Sequence, residues 1–450
     1  MARDISRPRE DSRTTPFSWR NSTEHMMRLG FPNGDLQQHL TELACNGSAE
    51  RAVAPKKAAA YLLWAMFFLV FAAGSHATRT SDLYVSPTGS DSNGGSQASP
   101  FRTILAASRA AQAGTTVHAL PGTYGGGFMT VASGRPSAPV TYISDVPYGA
   151  KIIGAGLATN PNQAGWENRG DYVTVNDFDF DGGGSLARSW AFGFYNGASH
   201  VTLRCNKIHD VVTDPTAYAA VTSAGNGGAG VMMDGYYGGS EGFVTGNVVY
   251  NIGPVGWRSS LVHGIYQTET GGVLNNIVYN VVGTGIQLWH GAHHINIIHN
   301  TVDSAAGDAG IMIGSGGSGS SSTTGDYVTV IGNIVVNSAA GIEEAGITGV
   351  HNKYINNLVY NNIGSGIKLQ NRLIAAGTIV TDPLFVDPAH NDYRLCAGSP
   401  AIGPANTIGA LGAAQKPIDC KKPTGDLRRT GEVEVRPANP PTCWDGWRHP

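Results

Sequence analysis

Several side chains in the second half of the chain are of the types that move protons or hold anions. The catalytic candidates are Tyr266, His290, Lys368 and Arg372, and His263 is a candidate for substrate binding. Cleavage of a uronate-containing sugar polymer by β-elimination needs a base for the proton at C5 and a group that neutralises the carboxylate. These residue types predict that chemistry.

An acid lies close to the lysine in the same pattern. Glu343 comes one sequence repeat before Lys368, and an opposite charge nearby favours the charged form of a lysine, which is no base. A salt bridge between neighbouring repeats is therefore the alternative to a catalytic role for this pair. The other predicted substrate-binding residues are Gln287, Trp289, Gln370, Glu269 and Glu343 itself.

Carboxyl pairs that could hydrolyse a glycosidic bond are poorly placed. Glu343 and Glu344 are adjacent in a predicted strand and face opposite sides, whereas hydrolysis needs two carboxyls about 5.5 to 9.5 Å apart. Glu269 is three repeats from Glu343, about 14 Å at the spacing of stacked strands. Hydrolysis is disfavoured, and we expect the strand to bend at Glu344 so that this acid is not buried without a partner.

Two groups of residues could bind metal. Asp177, Asp179 and Asp181 alternate along a predicted strand and share one face, which predicts a calcium site or, alternatively, a solvated acidic face. Four histidines lie close together in the chain, at positions 290, 293, 294 and 299. Zinc would need a fourth ligand that we cannot place, and turn or surface histidines explain the same density.

The elements that must position these residues come from an internal repeat. Its leading residue is an asparagine, followed two residues later by a β-branched residue. The asparagines are Asn206, Asn247, Asn276, Asn300, Asn333 and Asn357, at spacings of 24 to 41 residues. Such a period is typical of a solenoid, and stacked asparagines can form an amide ladder.

A second short strand follows each asparagine and begins with glycine and a β-branched residue, as in Gly285-Ile286 and Gly366-Ile367. Strands that recur in register must stack in parallel at about 4.8 Å. Two outward columns result: Met232, Tyr266, Gln287, Met312, Glu343 and Lys368, then Asp234, Thr268, Trp289, Gly314, Ala345 and Gln370. That spacing is close to the rise of an extended sugar chain, so a polysaccharide is the expected ligand.

The stack of Asn-led coils resembles the right-handed parallel β-helix of the pectate-lyase-like superfamily over roughly residues 82–403. The resemblance implies an all-β solenoid with a short N-terminal capping helix, which we predict from Ser99 as N-cap and Pro100 as first residue, ending at Gly114. Residues 382–402 look like the C-terminal closure of the superfamily. The resemblance also implies calcium held by clustered aspartates beside the groove strands, a cluster that this sequence does not reproduce residue by residue.

Two long insertions, between Asn206 and Gly230 and between Asn247 and Gly264, fall in the same turn. We expect them to wall a groove beside the Gly-Ile strands. A Gly/Ser-rich loop, Ser315 to Gly325, lies at the other end of those strands.

Composition sets further limits. The chain has 450 residues, 61 glycines and a net charge of −3, and nothing in it suggests nucleic acid; we expect a monomer. Five cysteines are present. We predict that Cys205 is a buried free thiol, and a Cys420–Cys443 bridge is the pairing to test among three that four cysteines allow.

The N-terminal region predicts export. Residues 1–55 carry no repeat and look like an unstructured or wrongly assigned extension, with translation starting near Val53. Residues 56–77 then read as a signal peptide cleaved after Ala77, or as a membrane anchor. Residues 404–450 read as an irregular tail.

Together these features predict a secreted, periplasmic or cell-surface protein that acts on an acidic polysaccharide, with β-elimination as the favoured reaction. The alternative is a non-catalytic carbohydrate-binding or cell-surface protein that uses the same groove. On the first hypothesis Lys368→Ala abolishes cleavage without changing thermal stability.

Overall fold

A computed structural model describes residues 82–154, 164–183, 191–223, 227–316, 324–403 and 408–410, all within the unit His76–Pro450. Short strands dominate these residues. The two helices described are α1 (Ile104–Ala110) and α2 (Pro215–Thr222), with 3-10 turns at Gly235–Tyr237 and Pro388–His390. The predicted all-β class is confirmed.

Three parallel sheets make up the solenoid. Sheet A contains β1 Asp82–Val85, β2 Thr116–Ala119, β5 Val140–Ser144, β8 Val173–Asn176, β11 Thr202–Arg204, β14 Gly242–Thr245, β17 Gly271–Leu274, β20 Ile295–Ile298, β23 Thr329–Ile331 and β26 Lys353–Ile355. Sheet B contains β3 Gly122–Gly125, β6 Ala150–Ile153, β9 Asp179–Asp181, β12 Lys207–Val211, β15 Val248–Ile252, β18 Ile277–Val281, β21 Thr301–Ala305, β24 Ile334–Val336 and β27 Leu358–Tyr360. Sheet C contains β4 Phe128–Thr130, β7 Ala164–Asn168, β10 Phe192–Asn196, β13 Gly228–Met233, β16 Val262–Gln267, β19 Ile286–Leu288, β22 Ile311–Ser315, β25 Ile342–Gly346 and β28 Ile367–Lys368.

From β2 to β28, strands three places apart along the chain pair in parallel, so the chain visits sheets A, B and C in turn; β1 pairs with β2. The fold is a right-handed parallel β-helix. Equivalent residues of successive coils lie in register, for example Val249 opposite Val278 and Val278 opposite Val302. Columns of Val and Ile fill the interior, while Trp166, Phe178 and Phe180 fill it in the early coils.

The predicted asparagine ladder is present between sheets A and B. Each Nδ2 from Asn206 to Asn333 donates to Oδ1 of the next ladder asparagine over 2.9–3.1 Å, and all six side chains are buried. The residue before each one has a left-handed φ of +52° to +67°. Gly and Asn each occur twice at that position, besides one His and one Cys, because Gly, Asn and His tolerate the conformation better than β-branched residues do.

The N-terminal helix is shorter than predicted. Thr103, not Ser99, is the N-cap, and its Oγ1 accepts from the Ala106 N–H at 3.1 Å. Ser99 instead forms an isolated antiparallel bridge with Ser96, so the helix begins only at Ile104. Ile104 and Ala107 are buried in the main core at the first coils, which fits the predicted capping role.

The segment after the last coil forms an antiparallel hairpin of β29 (Phe385–Asp387) and β30 (Asp392–Leu395). It packs on the outside of sheet B: the Tyr393 ring lies 5.6 Å from Tyr279, and the Tyr393 hydroxyl donates to Asp303 at 2.9 Å. Leu395 and Ile408 pack on Ile334 and Leu358 of the same face. Much of the later part of sheet B is therefore covered by the chain itself.

Two cysteines correct a prediction. Cys205 is buried, as predicted, but it is disulfide-bonded and not a free thiol, and Cys396 is disulfide-bonded as well. Cys420 and Cys443 lie outside the described residues, as do residues 1–55 and the predicted signal segment 56–77. Within the described part of the chain, neither helix is long and apolar enough to cross a membrane.

Candidate functional site

The predicted outward column lies on the outer face of sheet C. Its pairs run from Met232 opposite Tyr266 through Gln287, Met312 and Glu343 to Lys368. The column also extends toward the N-terminal end, with Tyr195 opposite Met232 and Glu167 opposite Tyr195. One line of side chains therefore follows the solenoid axis for eight coils.

The two insertions lie at the turn between sheets B and C, as predicted. The first contains α2, capped by Asp214, whose carboxylate accepts from the Thr216 and Ala217 N–H groups. The second spans residues 253–261, and its Trp257 meets Tyr218 of α2 with ring centroids 5.2 Å apart. The insertions support each other beside the N-terminal ends of β13 and β16.

A central cluster brings together three of the predicted residues. The His263 ring lies 4.9 Å from the Tyr266 ring, and the Tyr266 ring lies 6.4 Å from the His290 ring. Burial, with the charge on Asp234, holds the pKa of Tyr266 well above its usual range, so the phenol stays protonated. His290 is exposed, and its carbonyl accepts from Ser315 Oγ at 2.6 Å.

Buried polar atoms without a hydrogen-bond partner also lie on this face. They are His263 Nδ1, Thr284 Oγ1 and Gln287 Oε1. Burial lowers the pKa of His263 to about 3, so the ring is neutral. Unpaired buried polar groups are costly, and these three lie on two neighbouring coils, those of Tyr266 and Gln287.

A second group lies at the C-terminal end of sheet C. Lys368 is two-thirds exposed, and its Nζ lies 3.7 Å from Glu343 Oε2. Glu343 Oε1 accepts from Ser365 Oγ at 2.7 Å. Arg372 is exposed, and Gln370 Oε1 accepts from Thr348. The salt bridge that we considered as the alternative for Glu343 and Lys368 is present.

The structure thus separates the four catalytic candidates into two groups. Tyr266 and His290 are neighbours, whereas Lys368 is four coils beyond Tyr266 along the column, about 19 Å at the strand spacing. Arg372 follows Lys368 in the chain. One sugar unit cannot touch both groups, so they can serve only different units of one polymer.

Trp289 packs one ring face on glycine backbone. A Cβ on Gly314 would lie 2.2 Å from Trp289 Cζ3, and one on Gly346 would lie 3.0 Å from Cη2. Trp289 as a whole is half-buried, so packing does not cover the side chain completely.

A third group, at the N-terminal end, was missed by the sequence analysis. The Arg169 guanidinium donates from Nε to Glu167 Oε1 at 2.7 Å and lies 3.5 Å from the centroid of the Tyr237 ring. Tyr195 donates its hydroxyl to Asp234. A usable signal existed, because Gly193-Phe194-Tyr195 repeats the pattern of Gly230-Val231-Met232.

Two glutamates are buried away from the column. Glu344 points inward, and the strand does not bend: Asn352, the Tyr354 hydroxyl and the Gln370 N–H all donate to it. The expected bend was wrong because the next coil supplies these donors. Glu269 has one weak donor, Asn196 at 3.4 Å, and burial raises its pKa to about 8.

The three aspartates of the predicted calcium site do not form one ligand set. Asp177 lies in a turn with φ +65°, and Phe180 between the other two points into the core. Asp179 accepts from His209, and Lys151 Nζ lies 3.6 Å from Asp179 and 3.3 Å from Asp181. These cationic partners already neutralise the carboxylates, so the residues do not fit calcium.

Asp181, His209 and Asp210 place one ligand atom each within 4.8 Å of one another. Both ring nitrogens of His209 are already bound, Nε2 to Asp179 at 2.8 Å and Nδ1 to Asp210 at 2.7 Å. Burial opposes the charged ring, but these bonds outweigh it and raise the pKa of His209 to about 9. A protonated imidazole has no lone pair for a metal.

The dense histidines lie on turns, in line with the alternative to zinc. His294 stacks on Tyr327 at 4.6 Å, and Tyr327 stacks on His351 at 4.4 Å, along the turn before sheet A. His299 precedes a ladder asparagine with φ +56°.

Residues 87–128 match a family described as protein of unknown function (DUF1565). A stretch of 140 residues is 31% identical to the uncharacterized protein YwoF of Bacillus subtilis (strain 168); it is 29% of this chain and spans 29% of that relative.

Among solved structures, pectate lyase Pel9A matches with a TM-score of 0.49 and 18% identity, over 74% of this chain and 96% of that one. A rhamnogalacturonan lyase matches with a TM-score of 0.47 and 16% identity, over 67% and 85%. At this level of sequence identity the similarity concerns the fold alone.

Proposed function

We propose that the protein binds a polysaccharide along the outer face of sheet C and cleaves it by β-elimination at an acidic sugar unit. The observation that carries the proposal is the eight-coil column from Glu167 to Lys368, which places hydrogen-bonding and aromatic side chains at strand spacing on one face. The outside of sheet B cannot serve in the same way where the C-terminal hairpin covers it.

The reaction is assigned to the central cluster. His290 takes the C5 proton, and the electrons of that C–H bond form the C4–C5 double bond. The C4–O bond breaks while Tyr266 gives its phenolic proton to the departing oxygen. Imidazole is the side-chain type that exchanges protons near neutral pH, and the raised pKa of Tyr266 keeps its proton available. Solvent returns the proton from His290 to Tyr266.

Lys368 and Arg372 are assigned to binding. Lys368 is exposed and its Nζ lies 3.7 Å from Glu343 Oε2, a placement that suits attraction of an acidic polymer. Both side chains would meet carboxylates of sugar units farther along the polymer than the one being cleaved. No calcium ion enters this mechanism.

The second candidate function is binding without cleavage. The packing of the column favours it: Met232, Gln287 and Met312 are each 5–7% exposed and carry no titratable group. A face of this kind can hold a polymer without reacting with it.

We also propose that the protein is exported, because its polymer would lie outside the cell. This part rests on the sequence pattern of residues 56–77. N-terminal sequencing of protein recovered from the culture medium tests it, and a chain that still carries residues 1–55 would contradict cleavage after Ala77.

The test of the function is incubation with pectate, alginate, rhamnogalacturonan and glycosaminoglycans while the ultraviolet absorbance of the unsaturated product is followed. Tyr266→Phe should abolish product formation and leave binding intact. Tyr250→Phe is the matched control, since Tyr250 is a half-buried tyrosine on the outer face of sheet B. Retained binding with no product from any polymer would favour the second candidate.

A further inference from the structure

The 3-10 turn Gly235–Tyr237 carries two exposed aromatic rings at the end of β13. Tyr236 is 84% exposed and Tyr237 is 58% exposed. Their ring centroids lie 5.0 Å apart with an interplanar angle of 85°. No step of the proposed elimination uses them.

The backbone of the turn is held in one conformation by hydrogen bonds. Asp234 Oδ1 accepts from the Tyr236 N–H and from Thr268 Oγ1, each at 3.0 Å. Thr268 Oγ1 in turn accepts from the Gly235 N–H at 3.0 Å. Asp234 Oδ2 accepts from Tyr195, so all of this carboxylate serves to fix the turn on sheet C.

The Tyr237 ring is also fixed. The Arg169 guanidinium covers one of its faces at 3.5 Å and is itself bound by Glu167 through Nε and Nη2. An aromatic surface that is ordered before binding loses little conformational entropy when a ligand stacks on it. Tyr236, beside this clamp, leaves its ring open to solvent.

The charges around the turn select against an anion. Arg169 is neutralised by Glu167, which leaves the negative charge of Asp234 uncompensated. Glu269 beneath the turn adds further negative charge as pH rises above its pKa of about 8. A uronate at this position would be repelled, whereas the apolar face of an uncharged sugar ring can stack on tyrosine.

We propose that Tyr236 and Tyr237 form a subsite for an uncharged sugar unit. This inference rests on the proposed function in that the same polymer would lie along sheet C. It goes further by stating that the polymer contains an uncharged sugar one coil from Tyr266 toward the N-terminus, which is five coils from Lys368. The ligand is then a mixed polysaccharide and not a pure polyuronate.

The test compares the full chain with Tyr236→Ala in calorimetric binding to two probes: rhamnogalacturonan, which contains uncharged sugars, and polygalacturonate, which does not. We expect about a tenfold loss of affinity for rhamnogalacturonan, a size typical of one stacking contact, and no loss for polygalacturonate. Tyr327→Ala is the matched control, since Tyr327 is a half-exposed tyrosine at the turn before sheet A. Thermal melts confirm folding, which an exposed ring should not affect.

An equal loss for both probes, or no loss for either, would overturn the subsite. The product assay distinguishes this outcome from failure of the proposed function. Tyr236-dependent binding without any elimination would leave the subsite standing and remove the lyase, whereas elimination with no effect of Tyr236→Ala would do the reverse.

Discussion

The two ends of the outer face of sheet C are built differently. At the N-terminal end, Glu167, Arg169, Tyr195 and Asp234 are joined by hydrogen bonds and ring contacts, and none of them is exposed. At the C-terminal end, Lys368 is two-thirds exposed and has one ion pair at 3.7 Å. The first end is a preformed surface that suits selective recognition.

The second end offers an exposed charge that can attract an acidic ligand but selects little, because exposed ion pairs contribute roughly 0–1 kcal/mol. Tyr266 and His290 lie between the two ends. A polymer held at both would therefore present one internal unit to the residues proposed to cleave it.

The largest effect should come from the residues between the ends. His290→Ala removes the proposed base, and we expect the elimination rate to fall about 10²- to 10⁴-fold with little change in binding. Steady-state kinetics on the best polymer from the panel measures this. His293→Ala is the control, since it removes a neighbouring, partly exposed histidine. An active His290→Ala protein would move the chemistry elsewhere on the face.

Glu269 is a buried acid beneath the N-terminal end of the face, and its carboxylate has one weak hydrogen-bond donor, Asn196. Its folded-state pKa of about 8 lies above the ordinary 4.5, so its ionisation destabilises the fold increasingly as pH rises from about 4.5 to 8. Glu269→Gln should therefore raise the free energy of unfolding by an amount on the order of 3 kcal/mol at pH 8.5 and by little at pH 4.

Urea unfolding at the two pH values measures this difference. Glu241→Gln, at an exposed site, should change neither value. A gain for Glu269→Gln that is the same at pH 4 and pH 8.5 would show that ionisation is not its cause.

The selectivity of the N-terminal end for uncharged sugars should depend on the negative charge of Asp234. Asp234→Asn keeps the Oδ1 acceptor for Tyr236 and Thr268 but removes the negative charge, together with the Oδ2 acceptor for Tyr195. We expect the preference for rhamnogalacturonan over polygalacturonate to fall about fivefold, because like-charge repulsion no longer opposes a uronate. Parallel binding titrations at low salt would show it, and an unchanged preference would mean that the charge does not select.

The smallest effect should come from Lys368, at the C-terminal end of the face. Lys368→Ala should raise KM for a polyuronate about threefold and leave kcat and the melting temperature unchanged, because an exposed ion pair contributes little. Kinetics at 50 and 300 mM salt should show the difference shrinking as charge is screened. Loss of kcat would restore Lys368 as the base predicted from sequence.

The sequence repeat predicts which residues occupy equivalent positions in successive coils. The asparagine ladder and the column from Met232 to Lys368 follow from alignment of coils, because stacked coils place equivalent residues in line. Contacts between different positions of neighbouring coils could not be predicted in this way. Asn352, Tyr354 and Gln370 surround Glu344, and nothing in the spacing of these residues indicates that they converge.

The contacts in the early coils were harder to predict from the sequence for a related reason. They carry Phe178 in place of the ladder asparagine, and Asp179 and Lys151 are paired across strands that the repeat did not align. The contacts of Arg169 with Glu167 and Tyr237 lie in these coils and were not predicted, although the pattern Gly193-Phe194-Tyr195 marks Tyr195 as outward-facing.

The cystines at Cys205 and Cys396 carry a consequence for where the chain matures. Such bonds persist in oxidising surroundings and are rare in a reducing cytoplasm. Protein made and kept in the cytoplasm would hold both sulfurs as thiols, so its covalent structure would be unfinished there. Complete covalent maturation therefore requires an oxidising compartment at some stage of the protein's life.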